Sequence, residues 1–515
     1  MKKIKIYPNV EKKKTIVLIN PHPLKDREYI GVPLQLLAIS SLIYKNYNIK
    51  IFAERTKKGD NKEKIFNEIK NNKNILCVGV TMMTGYQIKN ALNIINKIKE
   101  INPEIKIVVG GYHPSILPEQ TLNHKNIDIV CIGQGTKTFK ELVEALDKSI
   151  SLEIVNGIYF KNKKEEIIKN PQREFEDVNN FPSMPYHLIN VEEYLQEMSL
   201  PKGKRVITYI SSYSCPFSCK FCVEPLLYNR KYFALKPEIV VDDIERLVKN
   251  YKIDAIEFAD SNFFVNQERV KRICELIIEK KININFGSCN GRVEQLLNFD
   301  EETWYLLQKA GCQSILVGAE SGSQEKLDLI GKGIKVEQIE ELAKVSKKHN
   351  ITLVYSFMAG FPIPSKLMEK EREKILMEEL NQTLDLINKL IEIKDDDFIF
   401  LFLYMPFPKN ELFNLAVECG FKAPSRLEDW DYSVNEWNTE WTTPKFRKLV
   451  LILHDFYFPY ASSKYAERHI QKFGFIQKIF HKIAKWRLKN RYFSFPFEYK
   501  LFRYYINLRA SKQLK

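Results

Sequence analysis

Three cysteines within eight residues are the feature that most constrains what this chain can fold into. Cys215, Cys219 and Cys222 have the spacing C-x3-C-x2-C, and they follow an apolar run from Val206 to Ile210 that predicts a buried strand. Thiolate is the ligand that iron-sulfur clusters require, so a loop of this kind can hold three corners of a cubic cluster. The fourth iron is then left open for chemistry.

A zinc knuckle is the alternative interpretation of the same cysteines. Structural zinc sites usually take four protein ligands, in C-x2-C pairs or in Cys and His pairs. No fourth ligand at such a spacing lies near these three cysteines. The spacing therefore favours a cluster over zinc.

The loop, with the aromatic Phe221 directly before its third cysteine, resembles the signature of the radical S-adenosylmethionine (SAM) superfamily. The resemblance implies that Cys215, Cys219 and Cys222 ligate a 4Fe-4S cluster, that SAM chelates the open iron, and that Phe221 packs against adenine. It also implies an enzyme in which an electron from an external donor, such as a flavodoxin or ferredoxin, cleaves SAM to a 5'-deoxyadenosyl radical. No catalytic residue is assigned beyond the cluster.

Length and composition indicate a multidomain protein of the cytoplasm. A chain of 515 residues is too long for one compact core and predicts two or three domains. Its nine cysteines do not fall into a disulfide-like array, which is typical of a reducing compartment. The sequence opens without the apolar stretch of a signal peptide, and no apolar run has the length of a transmembrane helix.

Residues 1–150 predict a Rossmann or flavodoxin-like domain. Short apolar runs alternate with helical periods from residue 14 onward, which is the pattern of a doubly wound parallel sheet. Ligands of such sheets bind where the strands end. The predicted strand ends and the loops after them contain the candidate ligand contacts Asn20, Thr81, Gly110, Gly111, His113, Gly133 and Gly135.

With the cysteine loop downstream, this domain resembles the cobalamin-binding domain of one class of radical SAM enzymes. The resemblance is carried by Asn-Pro-x-Pro at 20–23, Gly-Gly-x-His-Pro at 110–114 and Gly-x-Gly at 133–135, and it implies that the seven candidates contact cobalamin. The Asp-x-His-x-x-Gly motif that supplies an axial histidine elsewhere is absent. A corrin held without a protein imidazole and a domain empty of cobalamin both fit this departure, and His113 before a proline favours a structural role.

The rest of the chain predicts a linker, a barrel and a helical tail. Residues 151–204 lose the alternation and carry a charged run at 161–166 followed by several prolines, which is typical of a solvated hairpin and linker between domains. Six strand-helix units at 205–415 predict a partial (β/α)6 barrel of the TIM type, with its reactive face at the carboxyl ends of the strands. Residues 416–515 predict a mostly helical region.

Polar residues at the predicted strand ends of the barrel match superfamily positions that contact SAM. The resemblance assigns a carboxylate after the second strand to the SAM ammonium and an arginine after the third to the SAM carboxylate or the substrate. It assigns the turn Gly-Ala-Glu-Ser-Gly after the fourth strand to the ribose or methionine end. The implied SAM contacts are Asp260, Asn262, Arg292, Glu320 and Ser321.

One barrel turn departs from the family pattern. Lys409 and Asn410 stand where Pro-x-Pro is usually followed by Gly-Thr, so the shape of this turn is left open.

The tail carries nearly all of the net charge. From Trp441 to Lys515 there are 17 Lys and Arg against 3 Asp and Glu, a net +14 of the chain's +15, interleaved with aromatic residues. Around Ile479–Lys489, apolar and basic side chains fall on different helical faces. Three interpretations stay open: a helical cap on the barrel, contact with an anionic membrane surface, and contact with nucleic acid, the last being the least favoured.

The leading functional prediction is cobalamin-dependent methylation of an unactivated carbon in a hydrophobic, lipid or isoprenoid-like substrate. Such carbons have no usable pKa, so acid-base chemistry cannot activate them. The alternatives are radical cyclisation, coupling or rearrangement without cobalamin, RNA modification by a radical enzyme, and a sensor that binds cofactors without cleaving SAM.

Overall fold

The computed structural model describes residues 13–24, 31–432, 438–464 and 475–504. The chain divides into two compact units. The first comprises Met1–Tyr194 together with Pro424–Asp431, and the second comprises Leu195–Ala423 together with Tyr432–Lys515.

The first unit is built on a seven-stranded sheet in the order β2-β1-β5-β6-β7-β8-β9, with a small hairpin, β3-β4, beside it. Its strands are β1 (Thr15–Asn20), β2 (Asn48–Ala53), β3 (Arg55–Thr56), β4 (Gly59–Asp60), β5 (Ile75–Thr81), β6 (Lys106–Gly110), β7 (Ile129–Cys131), β8 (Ile158–Lys161) and β9 (Ile167–Lys169). Its α-helices are α1 (Leu34–Ser40), α2 (Lys62–Asn71), α3 (Tyr86–Ile101), α4 (Tyr112–Ile116), α5 (Pro118–Leu122) and α6 (Gly135–Lys148).

Five parallel strands form the centre of this sheet, which confirms the predicted doubly wound architecture. Counted along the chain they take the flavodoxin-like order 2-1-3-4-5. Ile16, Val17, Leu18 and Ile19 of β1 are all fully buried, as expected for a strand covered by helices on both faces. The strand order reverses between β1 and β5, so the ligand crevice of such a sheet lies beyond Asn20 and Thr81.

The hairpin predicted within 151–204 is present, but it belongs to the first unit and does not link two domains. Strand β8 pairs antiparallel with β7, and β9 pairs with β8, which extends the sheet of the first unit. The pairing buries Ile158 and Phe160 in that unit's core. The charged run around Lys163 indicated a solvated hairpin, but its pairing with β7 was not predicted, because the half-buried faces of these strands alternate over only three or four residues.

The second unit contains the six predicted parallel strands of a partial barrel, in the order β11, β14, β15 continued by β16, β17, β18 and β19. The strands of this unit are β10 (Gln196–Ser199), β11 (Lys202–Tyr209), β12 (Ser212–Tyr213), β13 (Phe233–Ala234), β14 (Ala255–Phe258), β15 (Asn285–Gly287), β16 (Cys289–Gly291), β17 (Ser314–Glu320), β18 (Thr352–Ala359) and β19 (Phe398–Leu403). The third barrel strand is broken at Ser288, whose φ of 56° lies in the left-handed region, so the hydrogen-bonded sheet splits into two.

Helices follow the barrel strands along the chain. From the first barrel strand to the helix after the sixth, the α-helices are α7 (Glu224–Tyr228), α8 (Pro237–Tyr251), α9 (Gln267–Glu279), α10 (Val293–Leu297), α11 (Glu301–Lys309), α12 (Gln324–Leu329), α13 (Val336–Lys348), α14 (Glu369–Ile393) and α15 (Glu411–Glu418). Short 3-10 helices elsewhere in the chain cover Leu152–Ile154, Val178–Asn180, Tyr186–Leu188, Val191–Glu193 and Leu427–Trp430.

The C-terminal region is helical, as predicted, and packs against β19. Within the described ranges it contains α16 (Pro444–Ile452), a π-helix (Leu453–Tyr457), α17 (Phe458–Ala461) and α18 (Phe475–Asn490), and residues 497–504 are also helical. The π-helix places His454 against Phe400 and Phe402 of β19, with ring centroids 6.0 and 4.9 Å apart. The region therefore covers the last strand of the barrel sheet, in agreement with the cap interpretation.

No helix within the described ranges combines the length and the apolar character needed to cross a bilayer.

Replacing Ile158 with alanine tests whether β8 is part of the first unit's core. The side chain is fully buried, so Ile158→Ala should lower the free energy of unfolding by about 2–5 kcal/mol. Urea denaturation would measure the loss, with Lys163→Ala at the exposed hairpin tip as the matched control. Equal midpoints for the two variants would contradict this placement.

Candidate active site

The cysteine loop begins directly after the first barrel strand, at the carboxyl end where parallel strands present their ligands. Cys219 is buried, and Cys215 and Cys222 are half-buried. The amide of Cys222 donates to the carbonyl of Cys219 at 3.0 Å, which turns the chain between the last two cysteines. All three cysteines are thus at least partly shielded from solvent.

Two side chains from other strand ends donate to the cysteine sulfurs. Arg292, after the third strand, brings Nη1 to 2.9 Å from Cys219 Sγ, and its guanidinium lies 4.0 Å from the Phe217 ring centroid. Asn262, after the second strand, brings Nδ2 to 3.6 Å from Cys215 Sγ. Donors directed at sulfur favour thiolate over thiol, because the negative charge strengthens each hydrogen bond.

Asp260 fixes the start of the loop. Its fully buried carboxylate accepts from the amides of Ser211 and Ser212, the former at 2.7 Å, and from Ser211 Oγ at 2.9 Å. Arg269 donates to the carbonyl of Ser211 at 3.0 Å. Burial raises the pKa of Asp260, and Arg269 and the serine donors counteract that rise. The sequence indicated a SAM contact here, which stays a prediction; it did not indicate this structural role.

A buried ion pair stands at the end of the fourth strand. Lys332 Nζ lies 2.7 Å from Glu320 Oε1, with both side chains almost fully buried. Glu320 has a φ of 62°, and a Cβ added to Gly318 would lie 2.3 Å from its Oε1, so this arrangement requires glycine at 318. Ser321 is fully buried, and its hydroxyl accepts from the amide of Ser323 within the turn after the fourth strand.

Lys332 is a residue that sequence reasoning missed. Its ammonium lies 6.0 Å from the ring centroid of Phe221, the predicted adenine contact. The available signal was its position between Gly331 and Gly333, which adopt φ values of 62° and 73°. Two glycines in the left-handed region around a lysine indicate a special turn.

The departure at 409–410 ties the sixth strand's turn to the cysteine loop. Asn410 caps α15 by accepting from the amide of Phe413, and its Nδ2 donates to the carbonyl of Phe221 at 2.8 Å. The amide of Leu412 also donates to the carbonyl of Lys220. The Asn410 amide group therefore caps α15 with its oxygen and holds the cysteine loop with its nitrogen. Glycine-threonine has no side-chain nitrogen for the second contact.

A buried carboxylate supports the turn after the fifth strand. Glu379 of α14 accepts from the amide of Gly360 at 3.0 Å, and Trp441 Nε1 donates to the carbonyl of Gly360 at 3.0 Å. Burial raises the pKa of Glu379 to about 8, although Lys326 and the turn amides lower it. The carboxyl group is thus mostly protonated at pH 7.

The first unit gathers polar side chains and glycines at its strand ends. Asn20 Oδ1 accepts from Gln35 Nε2 at 3.1 Å and from Gln87 Nε2 at 3.4 Å. Gly111 has a φ of 109°, and a Cβ there would lie 2.7 Å from the carbonyl oxygen of Met82. The glycine is therefore needed for the backbone to pass Met82 closely.

The other first-unit candidates lie on the same loops. Gly110 pairs with Thr81 in the β5-β6 ladder. The amide of Gly133 donates to Ser115 Oγ at 3.1 Å, and Gly135 begins α6. Their contact with cobalamin stays a prediction.

His113 lies fully buried behind its loop. Its Nδ1 is 3.0 Å from Thr84 Oγ1, and its ring meets Trp430 edge to face, with centroids 5.6 Å apart. Its Nε2 has no hydrogen-bond partner among the described residues. Burial lowers the pKa of His113 to about 3, so the imidazole is neutral at physiological pH.

Comparison with known proteins agrees with both units. Residues 25–143 match the B12 binding domain family, and residues 209–370 match the radical SAM superfamily. The chain is a radical SAM enzyme with a B12-binding domain.

Relatives of this radical SAM enzyme include proteins with different named reactions. It is 28% identical to an uncharacterized methyltransferase of Pyrococcus horikoshii over 75% of this chain and 79% of the relative. It is also 28% identical to an anaerobic magnesium-protoporphyrin IX monomethyl ester cyclase of Rubrivivax gelatinosus, over 65% of this chain, and covers 57% of that cyclase's length.

A solved structure supports the fold. The methyltransferase TsrM from Kitasatospora setae, determined with cobalamin and a [4Fe-4S] cluster bound, has a TM-score of 0.62 to this chain at 18% identity. The match covers 80% of this chain and 76% of that one.

The cysteine loop of this radical SAM enzyme fits a cluster. Burial raises the pKa of Cys222 to about 12, and Cys219 and Cys215 add to the rise. The Cys222 thiol becomes a thiolate near neutral pH only when a cation lies beside it, and cluster iron would supply that charge. No group of three or more His, Cys, Asp or Glu side chains in the described ranges is arranged to hold one metal ion. A cluster of four irons holds its ligands farther apart than one ion does.

Replacing Asp260 with alanine should weaken cluster retention. The change leaves the buried amides of Ser211 and Ser212 without their acceptor, and outer supports of this kind typically alter metal affinity by about 10–100-fold. Iron content and the EPR signal of the reduced protein after anaerobic reconstitution and desalting would measure the loss.

Glu268→Ala is the matched control for this experiment, because Glu268 is exposed on the neighbouring helix α9. Iron content in Asp260→Ala equal to that of the control would show that the carboxylate does not hold the loop.

Stability should fall as pH rises from about 4.5 to about 8 because of Glu379. Its pKa is raised on folding, so in this window the folded protein binds more protons than the unfolded chain, and raising the pH favours unfolding. Glu379→Gln should flatten this part of the stability profile, measured as urea midpoints across the pH range.

The exposed Glu378→Gln on the same helix serves as the reference and should keep the wild-type slope. An unchanged slope in Glu379→Gln would contradict the assignment.

Proposed function

We propose that this radical SAM enzyme methylates an unactivated carbon of a hydrophobic, lipid or isoprenoid-like substrate with the help of cobalamin. The observation that carries the proposal is the presence, in one chain, of a B12-binding domain and a barrel whose three-cysteine loop receives hydrogen-bond donors at its sulfurs. When bound, the cluster with SAM supplies a hydrogen-abstracting radical, and cobalamin supplies a methyl group.

The character of the barrel sheet supports a hydrophobic substrate. On β18 and β19, half-buried residues alternate with fully buried ones. The ladder register pairs Val354 with Phe398, Ser356 with Phe400, and Met358 with Phe402. Except for Ser356 these residues are apolar, but Phe398 is buried and His454 of the π-helix packs on Phe400 and Phe402. The half-buried Val354 and Met358 are therefore the apolar side chains proposed to bind the substrate, by removing its hydrocarbon surface from water.

The same face becomes polar toward the first strands. Glu257 of β14 belongs to it, is paired in the ladder with Thr208, and accepts a hydrogen bond from Thr208 Oγ1 at 3.3 Å. Burial raises the pKa of Glu257. We propose that this carboxyl group orients a polar end of the substrate while the β18-β19 side holds its apolar body.

The polar strand ends would hold SAM. In this proposal Glu320 and Lys332 keep a fixed charge arrangement beside Phe221, and Arg292 holds Cys219 while presenting a cation to the SAM carboxylate. Because these side chains are already paired and buried, they need little rearrangement when SAM binds.

For cobalamin, the glycine-rich strand ends at the switch point of the first unit leave backbone open to a flat ligand. The neutral, enclosed His113 forms part of that loop's support in this proposal.

The electron that cleaves SAM comes from an external donor such as a flavodoxin or ferredoxin. A hydrophobic substrate of this kind resides in a bilayer, so the proposal includes a peripheral contact between the C-terminal region and a membrane surface.

Radical cyclisation without methyl transfer is a second candidate, favoured by the similarity to a protein named as a cyclase. In that case the B12-binding domain need not carry cobalamin during the reaction.

One anaerobic experiment separates the two candidates. The protein is reconstituted with iron, sulfide and hydroxocobalamin, and SAM and a reductant are added with and without the isoprenoid geranylgeraniol. A retained corrin spectrum with 5'-deoxyadenosine and S-adenosylhomocysteine both formed is the expected result. 5'-Deoxyadenosine alone would favour cyclisation, coupling or rearrangement.

Cys215→Ala is the matched control, because it removes a cluster ligand and should abolish both nucleosides. Formation of neither nucleoside by the reconstituted wild-type protein would overturn the proposal and favour a sensor.

A further inference from the structure

Exposed apolar side chains concentrate near the C-terminus. Seven of the fifteen large hydrophobic residues that the described structure exposes lie between positions 479 and 504. We call these residues the aromatic surface: Ile479, Trp486, Tyr492, Phe495, Phe497, Leu501 and Tyr504. Phe495 is 82% exposed, Phe497 64% and Trp486 55%. Exposed apolar groups at this density mark an interaction site more often than a chance surface.

The aromatic surface is separate from the face with which α18 packs on the protein. Phe480, Ala484 and Leu488 form that packing face and are buried. The Phe480 ring lies 5.3 Å from that of Phe456 in the π-helix. The helix therefore has its own core contacts, and the exposed residues are additional to them.

A buried arginine holds the loop that carries much of the aromatic surface. Arg487 donates to the carbonyls of Tyr492 and Ser494 at 2.8 and 3.0 Å, and to that of Phe495 at 3.2 Å. It also pairs with Glu498, which is fully buried and accepts from Tyr457 Oη at 2.6 Å. A guanidinium buried with all these partners fixes the backbone of residues 492–498 in one conformation.

The backbone of this loop is strained where the side chain is most exposed. Phe495 has a φ of 53°, in the left-handed region that bulky residues rarely adopt. Such strain persists only where surrounding contacts impose it, and it is common at functional sites. Here the Arg487 contacts impose it, and the result is a phenylalanine directed away from the protein.

Cations surround the aromatic surface. Residues 475–504 contain eight Lys and Arg, and their one acidic residue, Glu498, is consumed by the buried pair with Arg487. Lys485 pairs with Asp395 and Arg491 with Asp385. The five remaining cations are all exposed: Lys478, Lys482, Lys489, Lys500 and Arg503.

We infer that the aromatic surface docks on an anionic lipid bilayer, with the 492–496 loop and the start of the helix that follows it entering the interface and the five exposed cations meeting lipid phosphates. Trp and Tyr favour the interface because each combines an apolar ring with a polar group. Ile479 and Leu501 offer no stacking face to a base but are suited to hydrocarbon. This inference deepens the proposed membrane contact and rests on it.

Vesicle sedimentation of the full-length, reconstituted enzyme tests the inference. One set of vesicles contains equal parts phosphatidylcholine and phosphatidylglycerol, and the other contains phosphatidylcholine alone. The wild-type enzyme should bind the anionic set more tightly, and Phe495→Ser/Phe497→Ser should bind it at least about tenfold more weakly. Trp486 fluorescence should be quenched by brominated lipid in the wild type.

Tyr305→Ser is the control, because Tyr305 is an aromatic residue on α11 that is 52% exposed and lies outside the aromatic surface. It should bind vesicles as the wild type does. Both variants should keep wild-type iron content and SAM cleavage without vesicles, which shows that folding and the active site are intact.

The remaining outcomes would overturn the inference, and each would show which part of it is wrong. Wild-type enzyme that binds neither vesicle overturns the membrane contact as a whole. Equal binding by wild type and the double-serine variant overturns the role of the loop and leaves the contact to other residues. Binding of single-stranded RNA instead of vesicles assigns the surface to nucleic acid, and concentration-dependent dimerisation lost in the double-serine variant assigns it to a second copy. SAM cleavage is measured independently of all these results.

Discussion

The carboxylate of Asp260 is removed from water and accepts from two consecutive backbone amides and a serine hydroxyl. Desolvating a charge is costly, and these donors with Arg269 offset that cost. The contacts hold the first two residues of the cysteine loop, and every sulfur position depends on where that loop leaves the sheet. Asp260, at the end of the second barrel strand, thus positions the cysteine loop, which follows the first barrel strand.

Further ties act on the same loop from later strand ends. Arg292 and Asn262 donate to sulfurs, and Asn410 donates to the backbone at Phe221. Because each tie comes from a different barrel strand, the loop geometry is a property of the assembled barrel and not of the local sequence. This is how a parallel barrel forms a site from residues distant in sequence.

The sequence was sufficient for features that repeat or that have one chemical interpretation. Apolar runs such as Ile16–Ile19 predicted the parallel sheet, because a strand covered on both faces has no polar alternation. The spacing of Cys215, Cys219 and Cys222 predicted the radical SAM superfamily, which the match over residues 209–370 confirms. By contrast, the break at Ser288 has no sequence signal, since serine at a positive φ is imposed by the sheets it joins. Lys332 was missed because its partner, Glu320, is set by the fold rather than by a helical spacing.

The first unit is completed by residues that come long after it in the chain. Pro424–Asp431 belongs to that unit, where Trp430 meets the His113 ring and donates to Gln120 Oε1 at 2.8 Å. A ribosome makes the chain from its amino terminus, and domains commonly fold as they emerge. The first unit therefore cannot be completed until the whole barrel has been translated. Until then, the side of His113 that Trp430 contacts stays uncovered. The time needed to translate the residues between His113 and Trp430 thus sets the earliest moment at which these two side chains can pack together.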